Sequence, residues 1–244
     1  MFEELDFQST PLGDISLRRR TEPRFDNILL YEVKLGDEFL MSSLFTESEI
    51  QLAKLGLAAL KENNHYQDLD IVVGGLGLGY TAVAALEDPS VNSLSVIEVM
   101  QPVIDWHQRD LVPLGKELTS DPRCTLIHAD FFAVASSADG SFDKAEPNQK
   151  VHAVLLDIDH SPSHWLNDGN RSFYSVSALE NLAIKILPGG IFGVWSNDPP
   201  ATEFTQLLDQ VFELSTAHVV SFPNPYTDGE SACTVYIARN SMTL

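Results

Sequence analysis

Apolar and polar positions along this chain follow two alternating periods. In the first stretch the period is that of a strand. Residues 27–34 alternate toward their end, Gly36-Asp37 signals a turn, and Glu38 to Met41 resumes the pattern. This predicts a hairpin within a small β-rich N-terminal extension, residues 1–45. The period then becomes helical. Thr46, Glu47, Ser48 and Glu49 have the spacing of a capping box, with Thr46 placed to accept from the Glu49 amide and Glu49 to reach back. Ile50, Leu52, Ala53, Leu55, Leu57 and Leu60 form the apolar stripe of a helix that should end near Glu62-Asn63-Asn64.

From residue 69 onward strand and helix patterns alternate. Strands are expected at 71–73, 94–99, 125–128, 151–157 and 191–195. Helices are expected at 81–86, 102–114, 172–187 (stopped by Pro188-Gly189-Gly190) and 203–212. Strand patterns at 217–222 and 232–238 have no helix between them, which predicts an antiparallel pair. Two polar loops, 136–150 and 223–231, interrupt the series. Such alternation implies a doubly wound α/β domain over 46–244, a mostly parallel sheet with helices on both faces.

Composition narrows the function classes. With 244 residues and 44% hydrophobic content the chain is long enough for one large core. Fifteen Lys plus Arg against 35 Asp plus Glu leave a net charge of −20, and the dense basic cluster is limited to Arg18, Arg19 and Arg20. That footprint argues against nucleic acid as the partner, since phosphate binding needs clustered cations. Cys124 and Cys233 sit in apolar runs and read as small core residues, not as a disulfide framework or zinc site. No apolar stretch has the length of a membrane span, and the acidic start is unlike a signal peptide, so a cytoplasmic location is expected.

In an open α/β sheet, ligands bind beyond the carboxyl ends of the strands. The residues after each strand therefore carry the candidate chemistry. After the first comes Gly75-x-Gly77-x-Gly79, a triplet that allows a tight turn and close approach, without the last glycine of the dinucleotide fingerprint. After the second comes Glu98, nineteen residues beyond Gly79, suited to accept ribose hydroxyls. After the third come Asp130, suited to an adenine amino group or to capping a helix, and Phe131, an aromatic for the ring. After the fourth come Asp157, Asp159 and His160, candidates for acid–base work or metal binding. Asn197-Asp198 follows the fifth. Trp106, Trp165 and Trp195 read as core or cleft wall, and His107 as partly exposed. Tyr174 reads as either site wall or core. The 226–229 turn reads as a solvated hairpin loop.

Taken in order, the 40–49 segment, the glycine triplet, residues 96–106, 121–123, 128–130, 154–159, 173–174 and 187–191 resemble the S-adenosylmethionine-dependent methyltransferase fold. More narrowly, they resemble the spermidine synthase-like relatives of the polyamine aminopropyltransferases. The resemblance implies seven strands in the order 3-2-1-4-5-7-6 and a sulfonium cofactor, S-adenosylmethionine or its decarboxylated form. It places Gly75, Gly77 and Gly79 at the methionine part, Glu98 at the ribose, Asp130 at the adenine and Asp157 beside a reacting amine. It also implies a small acceptor such as a polyamine, and a homodimer. The chain departs from the family pattern at Leu76 and Leu78, where the family carries an amine-holding acid, and at His160, where it carries a second Asp. The family's Gln and Tyr-His pair have no match around Met41 and 51–53. Three readings follow: aminopropyl-type transfer to an amine, methyl transfer (with Asp157, Asp159, Asn197 and Asp198 as a Mg²⁺ pattern), and a non-catalytic relative.

Overall fold

The computed structural model describes residues 1–62, 67–143, 146 and 149–242. The N-terminal strands β1 (Phe2–Thr10), β2 (Gly13–Glu22), β3 (Ile28–Leu35) and β4 (Glu38–Ser42) pair in sequence order as a four-stranded antiparallel sheet. The expected hairpin is its second half. Helix α1 (Glu47–Glu62) leads into the large sheet; its expected end at 63–64 lies outside the described residues, as do 144–145 and 147–148 of the polar loop.

The large sheet contains β5 (Leu69–Gly74), β6 (Val91–Glu98), β7 (Cys124–His128), β8 (Val151–Leu156), β9 (Ile186–Ser196), β10 (Leu214–Asn224) and β11 (Gly229–Arg239). Their spatial order is β10-β11-β9-β8-β5-β6-β7. Counted from β5, this is the 3-2-1-4-5-7-6 order expected from the resemblance, with β5 to β9 parallel and β11 antiparallel to both neighbours. The central strands are apolar on both sides. Ile71 and Val73 face one core layer and Val72 the other; Ala153 and Leu155 alternate with Val154 and Leu156 in the same way. Helices α1, α2 (Tyr80–Leu86), α3 (Gln101–Gln108) and α4 (Gly115–Ser120) cover the first layer. Helices α5 (Phe131–Ala135), α6 (Val176–Ala183) and α7 (Thr202–Leu208) cover the second.

Several local expectations are corrected. The helix expected at 102–114 is two helices. Asp110 takes a left-handed φ of 56° and Pro113 bars a helical conformation before it, so α3 and α4 meet at a corner. The helix expected at 172–187 is a 3-10 turn, Asp168–Phe173, followed by α6, whose N-terminus the Ser175 hydroxyl caps. Pro188-Gly189-Gly190 belongs to β9, where a register shift against β8 accommodates the proline. The helix expected at 203–212 ends at Leu208. The Thr46 capping box gives way to a different use of Glu49, whose side chain turns inward, receives the Ser48 hydroxyl at 2.6 Å and is buried.

Three contacts seat the small sheet on the large domain. The Trp106 indole donates to Asp6 at 2.7 Å. His160 Nε2 lies 2.9 Å from Glu38 Oε1. The Tyr226 hydroxyl donates to Glu22 at 2.9 Å and accepts from Arg20 at 3.2 Å. The 226–229 turn is exposed, as expected of a hairpin loop, and is also tethered to the small sheet through Tyr226. Burial raises both cysteine thiols, Cys124 to about 11, which keeps them protonated and unreactive. Among the described residues no helix is long and apolar enough to cross a membrane.

Candidate active site

The sequence candidates converge at the carboxyl ends of β5 to β9, facing the small sheet. The glycine loop is shaped by its neighbours. Gly75 has φ 96°, and a Cβ there would stand 2.1 Å from the Asp157 carbonyl oxygen. Gly77 has φ 49°, and a Cβ there would stand 2.6 Å from Met41 Sδ. Backbone contact thus requires glycine at 75, whereas at 77 the left-handed φ is the main demand, because the Met41 side chain can move. Gly79 closes the turn into α2, its amide donating to the Leu76 carbonyl at 2.8 Å.

The loop amides are almost all taken within the chain. Gly75 N donates to Ile97 O at 2.9 Å, Leu76 N to Glu98 Oε2 at 3.0 Å, and Leu78 N to Met41 Sδ at 3.2 Å. His107, expected to be partly exposed, is fully buried, and its Nε2 lies 3.0 Å from the Gly77 carbonyl. Burial depresses its pKa, so the neutral ring holds that carbonyl in place. The sequence pattern gave no sign of this role.

Two carboxylates mark the β6–β7 side of the site. Glu98 is buried and accepts from the Leu76 and Met100 amides, the latter at 2.8 Å. Burial nevertheless moves its pKa upward. Asp130 Oδ1 caps α5 by accepting from the amides of Phe132 and Ala133. Both residues line a cavity of 390 Å³, closed on its far side by Leu166, Asn167 and Asn170. Phe131, the expected ring partner, packs against Gly74 with 1% exposure and lines this cavity beside Phe132, the more exposed aromatic of the pair.

The β8 end separates its two aspartates. Asp157 accepts the Thr81 hydroxyl at 2.7 Å and faces Glu49. Burial raises both carboxyl pKa values, and the Asp157 charge raises that of Glu49 further, so the pair retains a proton near neutrality. Asp159 points elsewhere. Its oxygens receive the Leu166 amide, the Asn170 amide group and the Tyr174 hydroxyl, all within 2.9 Å. It thereby fixes the 160–174 segment, and Tyr174 is its partner, not a wall of this cavity. The Mg²⁺ pattern requires Asp159 beside Asp157, and this arrangement pulls them apart. Among the described residues no three His, Cys, Asp or Glu side chains form a metal cluster.

Asp157 and Glu49 stand in a narrow cavity of 100 Å³. This neck shares Met100, Ile158 and Leu166 with the 390 Å³ cavity. It shares Met41, Glu49, His160 and Trp195 with a third cavity of 500 Å³ beneath the β10–β11 hairpin. Two chambers thus meet at a carboxyl pair. A ligand in one would present its reacting atom to a ligand in the other beside a group able to take a proton. Glu49 was missed as a site residue because its spacing also satisfies a helix cap.

No protein-family model matches the chain. A curated polyamine aminopropyltransferase from Prochlorococcus marinus (strain MIT 9313) is 31% identical over 150 residues, covering 58% of this chain and 46% of that protein. The chain thus spans about half the length of the curated relative it matches. A crystal structure of spermidine synthase in complex with the transition state analogue AdoDATO has a TM-score of 0.72 at 15% identity, covering 98% of this chain and 74% of that one. Spermidine synthase from Thermotoga maritima has a TM-score of 0.71 at 14% identity, with 98% and 73% covered. These structural matches bear on the fold.

Proposed function

Since this chain is a relative of the spermidine synthases and polyamine aminopropyltransferases, we propose that it transfers an alkyl group from a decarboxylated S-adenosylmethionine-type cofactor to a small amine acceptor. In this reading Glu98 and Asp130 hold the nucleoside in the 390 Å³ cavity, with Phe132 at its rim. Asp157 and Glu49 hold and deprotonate the acceptor nitrogen. Asp159 is a positioning residue that keeps the 160–174 segment over the nucleoside. His160 lines the neck and ties it to Glu38 of the small sheet.

One observation carries the preference for a decarboxylated cofactor. A carboxylate tail at the glycine loop needs free amides or a cation. Four loop amides are already bonded within the chain, and neither the neck nor the nucleoside cavity has a Lys or Arg among its described lining residues. The neck instead presents two carboxyl groups, which repel an anionic tail. The adenosyl end fits the residues present, and an amino-acid tail does not.

When bound, such a cofactor supplies a carbon activated by an adjacent sulfonium. Attack by the acceptor nitrogen would displace the sulfur with its bonding pair, and the Glu49–Asp157 pair would hold the acceptor and take the proton released from its nitrogen. The chain itself contributes alignment of two chambers and a raised-pKa base at their junction.

Isothermal calorimetry against S-adenosylmethionine, its decarboxylated form and methylthioadenosine tests this reading. The decarboxylated form and methylthioadenosine are expected to bind, with S-adenosylmethionine weaker by about tenfold or more, the cost of one unpaired charge. Tighter binding of S-adenosylmethionine would transfer the reading to methyl transfer. No binding of any of the three would leave a non-catalytic relative.

A further inference from the structure

We infer that the 500 Å³ chamber takes an acceptor with a single amine and an uncharged, aromatic or apolar body, in preference to a chain carrying a cation at each end. The inference rests on the transferase reading above and specifies its acceptor. The chamber is asymmetric. At its inner end stands Glu49, with Asp157 just beyond the neck. Its walls are aromatic. Phe45 and Phe222 lie with ring centroids 5.8 Å apart, and Trp195 and Phe39 complete the lining. At its outer end the polar groups are neutral, Asn224 donating to the Ser231 hydroxyl at 2.8 Å.

A second ammonium at that outer end would find no unpaired anion. Glu49 is the sole Asp or Glu among the described residues of this lining. Glu22 and Glu32 line an adjoining cavity that shares Phe39, Ser42 and Phe45 with the chamber, and each is already paired with Arg20 at 2.7 Å. Ring faces attract a cation only weakly relative to the cost of stripping it of water. An apolar body reverses the balance, because burying an aromatic group against these rings is favourable without any charge to desolvate. The departures at Leu76 and Met41 fit the same picture, since both place apolar side chains in the neck, where Glu49 and Asp157 are the only acids among the described lining residues.

The test is calorimetric titration of the full chain, with and without saturating methylthioadenosine, using 2-phenylethylamine and 1,4-diaminobutane as probes. 2-Phenylethylamine is expected to bind about tenfold tighter or better, as burial of one ring implies. Phe222→Ala should remove that advantage while leaving methylthioadenosine binding unchanged. Asn224→Asp, which keeps the acceptor oxygen that Tyr226 N uses at 3.0 Å, should raise diaminobutane affinity about tenfold by supplying the missing anion. Tighter binding of diaminobutane to the unaltered chain would overturn the inference, as would binding of neither amine when methylthioadenosine binds. Failure of methylthioadenosine to bind would overturn the cofactor reading instead, and the amine titrations of the ligand-free chain would still decide the chamber's preference.

Discussion

Glu49, in the first turn of α1, and Asp157, at the carboxyl end of β8, line one narrow cavity, and Thr81 joins them: its hydroxyl donates to Asp157 Oδ2 at 2.7 Å and lies 3.2 Å from the Glu49 main-chain carbonyl oxygen. Glu49 is pushed up to about 7, first by burial and then by Asp157. Its folded pKa exceeds the unfolded value of 4.5, so the folded state binds more protons between those values. Stability should therefore decline as pH rises from about 4.5 through 7. Glu49→Gln should flatten that decline and stabilise the chain at pH 8, by about 2 kcal/mol. Urea unfolding at pH 5 and pH 8 reads the difference; an unchanged pH slope would mean that the Glu49 carboxyl is not raised in the folded chain.

Asp157→Asn keeps the shape of the neck and removes its base. Transfer from decarboxylated S-adenosylmethionine to 2-phenylethylamine, followed by release of methylthioadenosine, should fall about 10²- to 10⁴-fold. Methylthioadenosine affinity should stay within about twofold, since the proposed reading puts the nucleoside in the other chamber. Unaltered transfer would remove Asp157 from the proposed chemistry.

Gly75 and Gly36 make a paired test of the glycine loop. Both have positive φ, but a Cβ at Gly36 meets nothing within 4 Å, whereas one at Gly75 meets the Asp157 carbonyl. Gly36→Ala should cost about 1 kcal/mol, the left-handed penalty alone. Gly75→Ala should cost about 3 kcal/mol or more, because strand β8 must shift. Equal denaturation midpoints would show that the loop yields easily.

Asp130 joins two roles that substitution can part. Asp130→Asn should preserve the α5 cap, and Asp130→Ala should lose about 1 kcal/mol. Both should weaken methylthioadenosine binding if the carboxylate faces the base. Calorimetry on the Asn variant isolates the second effect from stability.

The fold was legible because β5, β8 and β9 are continuous apolar runs between polar turns, a pattern that helices on both faces impose. Boundaries failed where tertiary contact decided them. The Asp110 corner exists because α4 packs on α3, and Pro188 lies in a strand because the ladder shifts there. Site legibility divided along the same line. Positions after strand ends located Glu98, Asp130 and Asp157 around one cleft. The direction of a side chain was beyond such reasoning. Asp159 and Phe131 occupy the expected positions, yet one binds Asn170 and Tyr174 and the other packs against Gly74 with 1% exposure. Glu49 and His107 lie on helices, where periodicity reports burial but not partner.

Strand β11 is the last strand of the chain yet lies between β9 and β10 in the large sheet, and it brings Cys233 to the wall of the same chamber as Phe39 and Glu49. The chamber's walls thus join residues of the small sheet and of the β10–β11 hairpin, which are far apart in the sequence. A nascent chain can form the small sheet and the β5–β8 ladder early, but it cannot enclose an acceptor until β11 has inserted. Long-range closure of this kind is slow relative to local pairing. The neck, by contrast, is lined by residues that all precede β10 and β11, so the carboxyl pair and the acceptor chamber are completed by different parts of the chain.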